Sequence, residues 1–487
     1  HFGLGFYSAF MVADEVHIDT LSYKDGATPV RWVSNGGTEY EMTEGDKQTV
    51  GSEITLYLND DCLEFANEYR VREVIQKYCS FMPVEIFLSK ANAEPEYETI
   101  DEADLKEDDE VVEHIHEDAK TEEKENENGE KEVVEVCKEA DRTGEFPEEL
   151  YEKAKEQGYF ALEVPEELGG PGLSRVDVAA LFEEMAKADA GFATTISASG
   201  LGMKPVLIAG NQEQKEYIAD VALEGGLGAF CLTEPGAGSD ASAGTTTAVK
   251  DGDEYVLNGR KCFITNGAVA SYYCITAATD KSQGVRGLSM FLVPAGTPGL
   301  SAGKEEDKMG IRTSNTTDVV LEDCRIPAKN LIGQEGQGFS IAMKTLDQAR
   351  AWMGCIAVGI AQRGINEAKR YTTERIQFGK QINKTQAIQF KLADMDIQTE
   401  VARQMVANAL TRMDMGLTYN RESAIAKCFA SDIAMKVAED AIQLFGGYGY
   451  SREYPVEKLL RDAKIFQIFE GTNEVLRIVV ANNLLRG

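Results

Sequence analysis

One tract decides what this chain can fold into. Residues 94–135 carry 20 acidic and four basic residues and almost no aromatic ones. Like charges at that density repel, and too little apolar surface accompanies them to form a core. The tract therefore reads as a solvated, mobile linker, with a separate piece of protein on each side. Residues 1–136 hold a net charge of −24 and residues 137–487 a net of −9, out of −33 for all 487 residues. Such asymmetry points to an acidic segment joined to an ordinary globular enzyme or binding domain. With no basic cluster, it also argues against nucleic acid or an anionic membrane as partner.

The four histidines are His1, His17, His114 and His116, so residues 137–487 contain none. Chemistry there cannot use a Ser-His-Asp triad, a Cys-His pair or an imidazole-bound zinc, and any general base must be a carboxylate, Lys, Tyr or Cys. The Glu-His-Ile-His-Glu stretch at 113–117 lies in the acidic tract, lacks the context of a real metal site and is read as bland. Nine cysteines without a C-x-x-C spacing read as reduced thiols in a cytoplasmic protein. No run of 18 apolar residues occurs, so no membrane span is expected. The chain starts at His1 with no signal-peptide pattern, which reads as an N-terminus that is cut rather than processed.

Alternation at Val16–Asp19 and Glu53–Leu58 predicts half-buried strands, and apolar spacing between Leu63 and Tyr78 predicts a helix. Residues 147–224 show helical periodicity and 229–330 turn strand-like. Asp251-Gly252 separates two β-prone runs and Asn258-Gly259 is expected to end the second. After Gly338 the pattern is helical, with helices expected near 339–375, 385–415, 421–445, 455–469 and 474–485. Long helices with short joints imply an antiparallel bundle. The domains expected are 1–90, a linker at 91–136, helices at 137–228, a β-domain at 229–334 and a bundle at 335–487.

Four segments carry candidate chemistry. Phe230–Asp240 runs from an apolar strand into a Gly-rich loop with hydroxyls at Thr233 and Ser239, where small residues let backbone N–H groups approach a phosphate or a ring edge. Taken alone it is a turn. Asn258–Gly267 is a strand in which Phe263 could cover a planar cofactor and Thr265 bond its edge. Taken alone it is a core strand. In Gln443–Tyr450 the glycines end a helix, and Pro455 starts another. Last, Ile468–Glu474 places Glu470 at a break between helices, beside apolar Ile465, Ile468 and Phe469. Partial desolvation there would raise its pKa and make it a better base near neutral pH, although a lone Glu at a helix end is usually solvated. Thr472 or Asn473 can cap the helix that follows.

Together these segments resemble the acyl-CoA dehydrogenase family, of the butyryl-CoA or short-chain type, across the 351 residues 137–487. Residues 231–243 and 443–462 are similar to its two signatures, and 468–474 to the stretch with its base. The resemblance implies a multidomain α+β chain with a helical domain, a middle β-domain and a four-helix bundle. It implies FAD held along the isoalloxazine and ribityl chain by Phe230, Cys231, Leu232, Thr233, Gly238 and Ser239, with Phe263, Ile264 and Thr265. Arg375, Gln377, Phe378 and Gln386 would reach the FAD of a neighbouring subunit, as would Gln443, Leu444, Phe445, Gly446 and Gly447. Thr472 and Glu474 would bind FAD near the catalytic residue. Ser239, Asp347, Arg350 and the Gly471 backbone would contact acyl-CoA.

Under that resemblance Glu470 removes the α-proton of a short- or medium-chain acyl-CoA, the β-hydrogen leaves as hydride to flavin N5, and trans-2-enoyl-CoA forms. The Glu470 backbone N–H and a ribityl hydroxyl would acidify the α-carbon through the thioester carbonyl. Some members carry the base just before the arginine matching Arg350, where this chain has Ala349. An electron-transfer flavoprotein is the implied acceptor, and a dimer or dimer of dimers (a homotetramer) the implied assembly. The likeness begins near Cys137, after most of the family's first helix.

Residues 3–14, with the run through Gly51–Leu56 to Arg70–Arg72, resemble the bacterial 90-kilodalton heat-shock chaperone family. The family's upstream ATP contacts and its later domains have no counterpart here. The expectation is a truncated α/β sandwich fragment that binds ATP weakly or not at all, joined to the enzyme by recombination or sequence assembly. The alternatives are an ATP-binding chaperone fragment and a non-functional fusion of two truncated proteins.

Overall fold

The computed structural model describes residues 9–24, 26–36, 40–59, 62, 63, 71 and 136–485. The chain divides into two compact units, His1–His116 with Thr372–Thr385, and Glu117–Tyr371 with Gln386–Gly487. The acidic tract up to residue 135, the helix expected between Leu63 and Tyr78, most of the Gly3–Asp14 glycine run and the 113–117 stretch lie outside the described residues.

In the first unit, β1 (Ala13–Leu21), β2 (Val30–Ser34), β3 (Glu41–Glu44) and β4 (Gly51–Leu58) form an antiparallel sheet in the order β3-β2-β1-β4. The alternation legible at Val16–Asp19 puts Val16 and Ile18 on one face, where they pack with Ala13, Phe10 and Trp32. The same unit holds a short hairpin, Ile376–Gln377 paired with Lys380–Gln381. Its two-residue turn, Phe378-Gly379, has positive φ at both positions, as a tight hairpin requires.

In the second unit the described residues begin helical at 136–143, and α1 (Glu148–Glu156), α2 (Arg175–Ala188), α3 (Ala190–Ala209) and α4 (Gln212–Leu223) follow. Helix starts follow capping chemistry. Ser174 accepts from the Asp177 N–H and Asp189 from the Phe192 N–H, while Asn211 and Gln214 form a reciprocal capping box. Among the described residues, α3 is long and apolar enough to cross a membrane, but 72% of that apolar window is buried inside the protein.

A single sheet follows, ordered β10 (Leu300–Glu305), β11 (Thr316–Pro327), β7 (Glu254–Thr265), β6 (Thr247–Asp251), β8 (Ala270–Ala278), β9 (Leu288–Pro294), β12 (Leu331–Ile332), with β5 (Leu227–Cys231) parallel to β8. Asp251 pairs with Glu254 around Gly252, the hairpin expected there. Asn258-Gly259 does not end a strand. β7 runs straight through it, and the Asn258 amide instead bonds both the backbone and the carboxylate of Asp323, which bulges from β11 with φ 49°. A Cβ on Gly259 would stand 2.4 Å from Thr246 Oγ1, so close strand approach, not a turn, explains this glycine.

The helical block comprises α5 (Gly338–Glu374), α6 (Gln386–Asp414), α7 (Asn420–Phe445), α8 (Val456–Phe466) and α9 (Asn473–Leu485). The 37 residues of α5 make it about 55 Å long. α8 stops at Phe466, short of the expected 469. Beyond it the chain tightens, with the Gln467 N–H bonding Lys464 and the Ile468 N–H bonding Ile465, three residues back. Trp352, Ile356, Ile360, Val406, Leu410, Ala434, Leu459 and Phe466 share one core with Phe182 and Met185 of α2.

A buried ionic cluster ties α8 to the first helices. Lys458 Nζ lies 2.6 Å from Asp189 and 2.5 Å from Asp462, both carboxylates being almost wholly buried. Burial alone would lower the lysine, but the two carboxylates outweigh it and hold it above the usual range. Asp462 also accepts from the Ile311 N–H at 2.6 Å. Lys458→Met leaves two buried carboxylates without their cation, and is expected to cost about 3–5 kcal/mol, read as a lower urea midpoint.

Candidate active site

The turn between α8 and α9 carries Glu470. Its φ is 53° and that of Gly471 is 93°, two consecutive left-handed residues. A non-glycine residue held there costs on the order of 1–3 kcal/mol, so the surroundings must hold it. They do so through backbone and side chains together. The Asn473 N–H reaches back to the Gln467 carbonyl at 3.0 Å. Thr472 caps α9, its hydroxyl accepting from the Val475 N–H at 3.3 Å. Asn473, the other expected cap, turns inward instead. Its amide donates to the Cys428 carbonyl, Ser431 Oγ and Asp432 Oδ1, and its oxygen accepts from Lys427 at 3.1 Å. Lys427 also donates to the Gly471 carbonyl at 2.9 Å.

The Glu470 side chain is half-buried, and its Oε2 is shut away from solvent with no hydrogen-bond donor among the described residues. Desolvation pushes its carboxyl up to about 7 against the pull of Lys427, Lys204 and Arg350, with Glu163 adding to the rise. Lys204, from α3, is paired with Glu163, and its ammonium stands 5.7 Å from the Trp352 ring. Arg350 is buried on α5, 2.5 Å from Asp347, and its Nε donates to the Glu470 carbonyl at 3.4 Å. Burial raises the Asp347 carboxyl, with Arg350 opposing. Ala349 is buried beside them and offers no competing base.

A second group forms where β5 opens into the Gly-rich loop. The Cys262 N–H donates to the Thr233 carbonyl at 3.0 Å, which stitches the loop to the end of β7. Phe263 is 67% exposed and has φ 56°, while Phe230, Leu232, Thr233 and Thr265 are half-buried. A Cβ added at Gly236 or Gly238 would meet nothing within 4 Å. Bare backbone, two hydroxyls and an exposed aromatic face are a set that fits a planar, polar-edged ring such as a flavin. Cys231 and Ile264 pack into the sheet core, so their backbone alone is available to a ligand.

The base of this loop is held by Glu234 and Lys261, a buried pair at 2.8 Å that the sequence reading passed over. Lys261 also donates to the Leu232 carbonyl and Thr276 Oγ1. Burial would raise the Glu234 carboxyl, but Lys261, Thr246 and Thr245 outweigh it and bring it down to about 2.

Ser239 is exposed on the Gly-rich loop and Glu474 on the first turn of α9. At the end of α7, Leu444 and Phe445 are buried, the latter stacked 4.1 Å from Tyr371, while Gln443, Gly446 and Gly447 are exposed. Gln386 is exposed at the start of α6. Arg375, Gln377 and Phe378 belong to the hairpin of the first unit, with Phe378 fully exposed at its tip. Lys427 was not singled out in the sequence, and Asn473 only as a candidate helix cap. A lysine set among Ala424, Ala426, Phe429 and Ala430 was the available signal.

Three family models match the chain: the acyl-CoA dehydrogenase N-terminal domain at residues 117–225, the middle domain at 229–324 and the C-terminal domain at 336–485. The short-chain-specific acyl-CoA dehydrogenase of Megasphaera elsdenii is 47% identical over 364 residues, 74% of this chain and 95% of that protein. An acyl-CoA dehydrogenase of Bacillus subtilis is 44% identical over 359 residues, 73% of this chain and 95% of that one. Among solved structures, the butyryl-CoA dehydrogenase of Megasphaera elsdenii superposes with a TM-score of 0.72 at 46% identity, covering 74% of this chain and 95% of its own. A chain from the structure described as "Electron transferring flavoprotein of Acidaminococcus fermentans: Towards a mechanism of flavin-based electron bifurcation" gives 0.72 at 45% identity, covering 77% and 100%.

The loop pair generates a pH-dependent expectation. In the native chain the depressed Glu234 carboxyl contributes stability above its unfolded pKa, and that stability is lost as pH falls toward about 2. Lys261→Met reverses the sign, because a buried carboxylate without its cation has a raised pKa. The variant is expected to lose about 3–5 kcal/mol at pH 7, and the gap in denaturant midpoint should narrow as pH falls and Glu234 takes up a proton.

Proposed function

Because this chain belongs to the acyl-CoA dehydrogenase family, we propose that it dehydrogenates a short-chain acyl-CoA thioester between its α- and β-carbons, with Glu470 as the base. The family's members are FAD flavoproteins, and the chain is a flavin-dependent oxidoreductase. The observation that carries the residue assignment is the Glu470 carboxyl, half-buried on a strained turn with its pKa brought to about 7. A base poised near the operating pH is ionised often enough to act and basic enough to take a proton.

The loop from Phe230 to Ser239, with Phe263 and Thr265, would hold FAD, and Cys231 and Ile264 would contribute backbone. Thr472 and Glu474 are read as further FAD contacts. FAD supplies the acceptor for the β-hydrogen, which leaves the thioester as a hydride. The chain's own part is the α-proton. It passes from the α-carbon to the Glu470 carboxylate, and the freed electron pair becomes the new carbon–carbon double bond. The Glu470 backbone N–H is read as a donor to the thioester carbonyl, which makes the α-proton more acidic. Ser239, Asp347, Arg350 and the Gly471 backbone are read as acyl-CoA contacts, and Lys427 keeps negative charge on Glu470 tolerable.

Arg375, Gln377, Phe378, Gln386 and the Gln443–Gly447 stretch are read as contacts to the FAD of a neighbouring subunit in a dimer or dimer of dimers. The bare Phe378 tip supports that reading. An electron-transfer flavoprotein is proposed as acceptor, supported by the likeness to the chain from Acidaminococcus fermentans. The motifs at residues 3–14, 51–56 and 70–72 are read as a likeness to the 90-kilodalton chaperone family, and the acyl-CoA dehydrogenase N-terminal domain match starts already at residue 117, ahead of the expected 137.

Anaerobic butyryl-CoA is expected to bleach the visible flavin band of the purified protein, at a rate that rises with pH through about 7. Glu470→Gln should slow bleaching by at least about 100-fold. Bleaching at the native rate in that variant would remove Glu470 from its role.

A further inference from the structure

Glu470 faces charge from several directions. Lys204 comes from α3, Arg350 with Asp347 from α5, Lys427 from α7, and Glu163 from the segment between α1 and α2. Two of the three cations are occupied elsewhere. Arg350 is bound to Asp347 and Lys204 to Glu163. Lys427 differs, for its ammonium is fully buried and forms no ion pair within 4 Å among the described residues. Its hydrogen-bond partners are the Gly471 carbonyl and Asn473 Oδ1, neither of which carries a charge. A buried ammonium satisfied by neutral acceptors alone is costly, and the chain could have placed an apolar residue there.

The acceptors it holds are those that fix the catalytic turn. Gly471 is the second left-handed residue, directly after Glu470. Asn473 is the pivot that joins the turn to Cys428, Ser431 and Asp432 of α7. Asp432 is braced in turn by Gln467 and Arg477.

We propose that Lys427 is the positioning residue for Glu470, its ammonium clamping the left-handed turn through Gly471 and Asn473 while its charge faces the Glu470 carboxylate. The inference rests on the reading of Glu470 as the base. Charge and clamp are separable consequences of one side chain. Burial lowers the Lys427 ammonium to about 8, with Glu470 foremost among the groups opposing that fall, followed by Cys428 and Asp432 against Arg350. Lys427 is in turn the largest of the influences holding the Glu470 carboxyl down. Removing it leaves Lys204 and Arg350, whose charges are already shared with carboxylates.

The test compares Lys427→Met, Lys427→Arg and Asn473→Ser in flavin-loaded protein. For Lys427→Met the acidic limb of the kcat/KM profile for butyryl-CoA should move up by about one pH unit, an about fivefold loss at pH 7 from the charge alone and in addition to the loss from the released turn. Lys427→Arg, which keeps the charge, should restore the native limb. Asn473→Ser keeps the cation and removes its side-chain acceptor. It should lower kcat by at least about tenfold with KM within about twofold and the limb in place.

The carboxyl itself is read by infrared difference titration, with the Glu470 band identified by its loss in Glu470→Gln. That band should titrate higher in Lys427→Met and at the native position in Lys427→Arg. An unmoved limb and band in Lys427→Met, or equal shifts in the Met and Arg variants, would overturn the charge role. A native kcat in Asn473→Ser would overturn the clamp, and that variant and Lys427→Arg decide the matter if Lys427→Met does not fold. Should Glu470→Gln keep full activity, the base assignment fails by itself, and the infrared titration still reports the Lys427–Glu470 coupling.

Discussion

Two left-handed residues in succession, Glu470 and Gly471, join α8 to α9, and much of the second unit serves to hold that bend. A lone glutamate in this conformation would relax toward ordinary backbone. Here the Gly471 carbonyl is taken by Lys427, the Glu470 carbonyl by Arg350, and the Asn473 side chain by α7. Each contact fixes the main chain and leaves the Glu470 carboxyl short of donors. The side chain is thereby placed by its own backbone, which lets its Oε2 remain unsolvated and the carboxyl basic.

A chain with no histidine after residue 116 has few ways to obtain a base near neutral pH. Raising a carboxyl by burial is one, and it brings a problem, since a carboxylate in too apolar a place does not ionise at all. The structure resolves this with three cations at graded commitment. Arg350 and Lys204 are already paired, and Lys427 is held by neutral groups. The opposite arrangement occurs at Glu234, where a close lysine and several donors drive the carboxyl down to about 2 and make it a structural anchor. The two carboxyls thus lie on opposite sides of the usual carboxylate range because their surroundings differ.

The helical block was legible because long helices that bury one stripe repeat their apolar residues at a fixed spacing, and α5, α6 and α7 follow the expected bounds to within a residue. The end of α8 was not legible. Ile468 and Phe469 continue the apolar spacing, and only the three-back hydrogen bonds at Gln467 and Ile468 show that the helix is ending. Asn258-Gly259 misled for a related reason. The dipeptide that favours a turn also suits a bulge, and which one forms depends on Asp323 and Thr246, each distant in sequence. Glu470 could be found from its position at a helix break. Lys427 and Asn473 could not be assigned, because what they hold lies some 40 residues away and one of the acceptors is a backbone carbonyl.

The ionic cluster of Lys458 with Asp189 has a bearing on the order of assembly. The two partners are 269 residues apart in sequence. Contacts of such range form only after most of the intervening chain has been organised, since loop closure must come before they contribute. The Gly-rich loop and β7, by contrast, are stitched together over about 30 residues, Thr233 to Cys262. The surface suited to a flavin can therefore take shape early, whereas the turn bearing Glu470 hangs from α8 and acquires its geometry only once α8 has docked. A partly folded chain would offer a flavin-suited surface before the Glu470 carboxyl is in place.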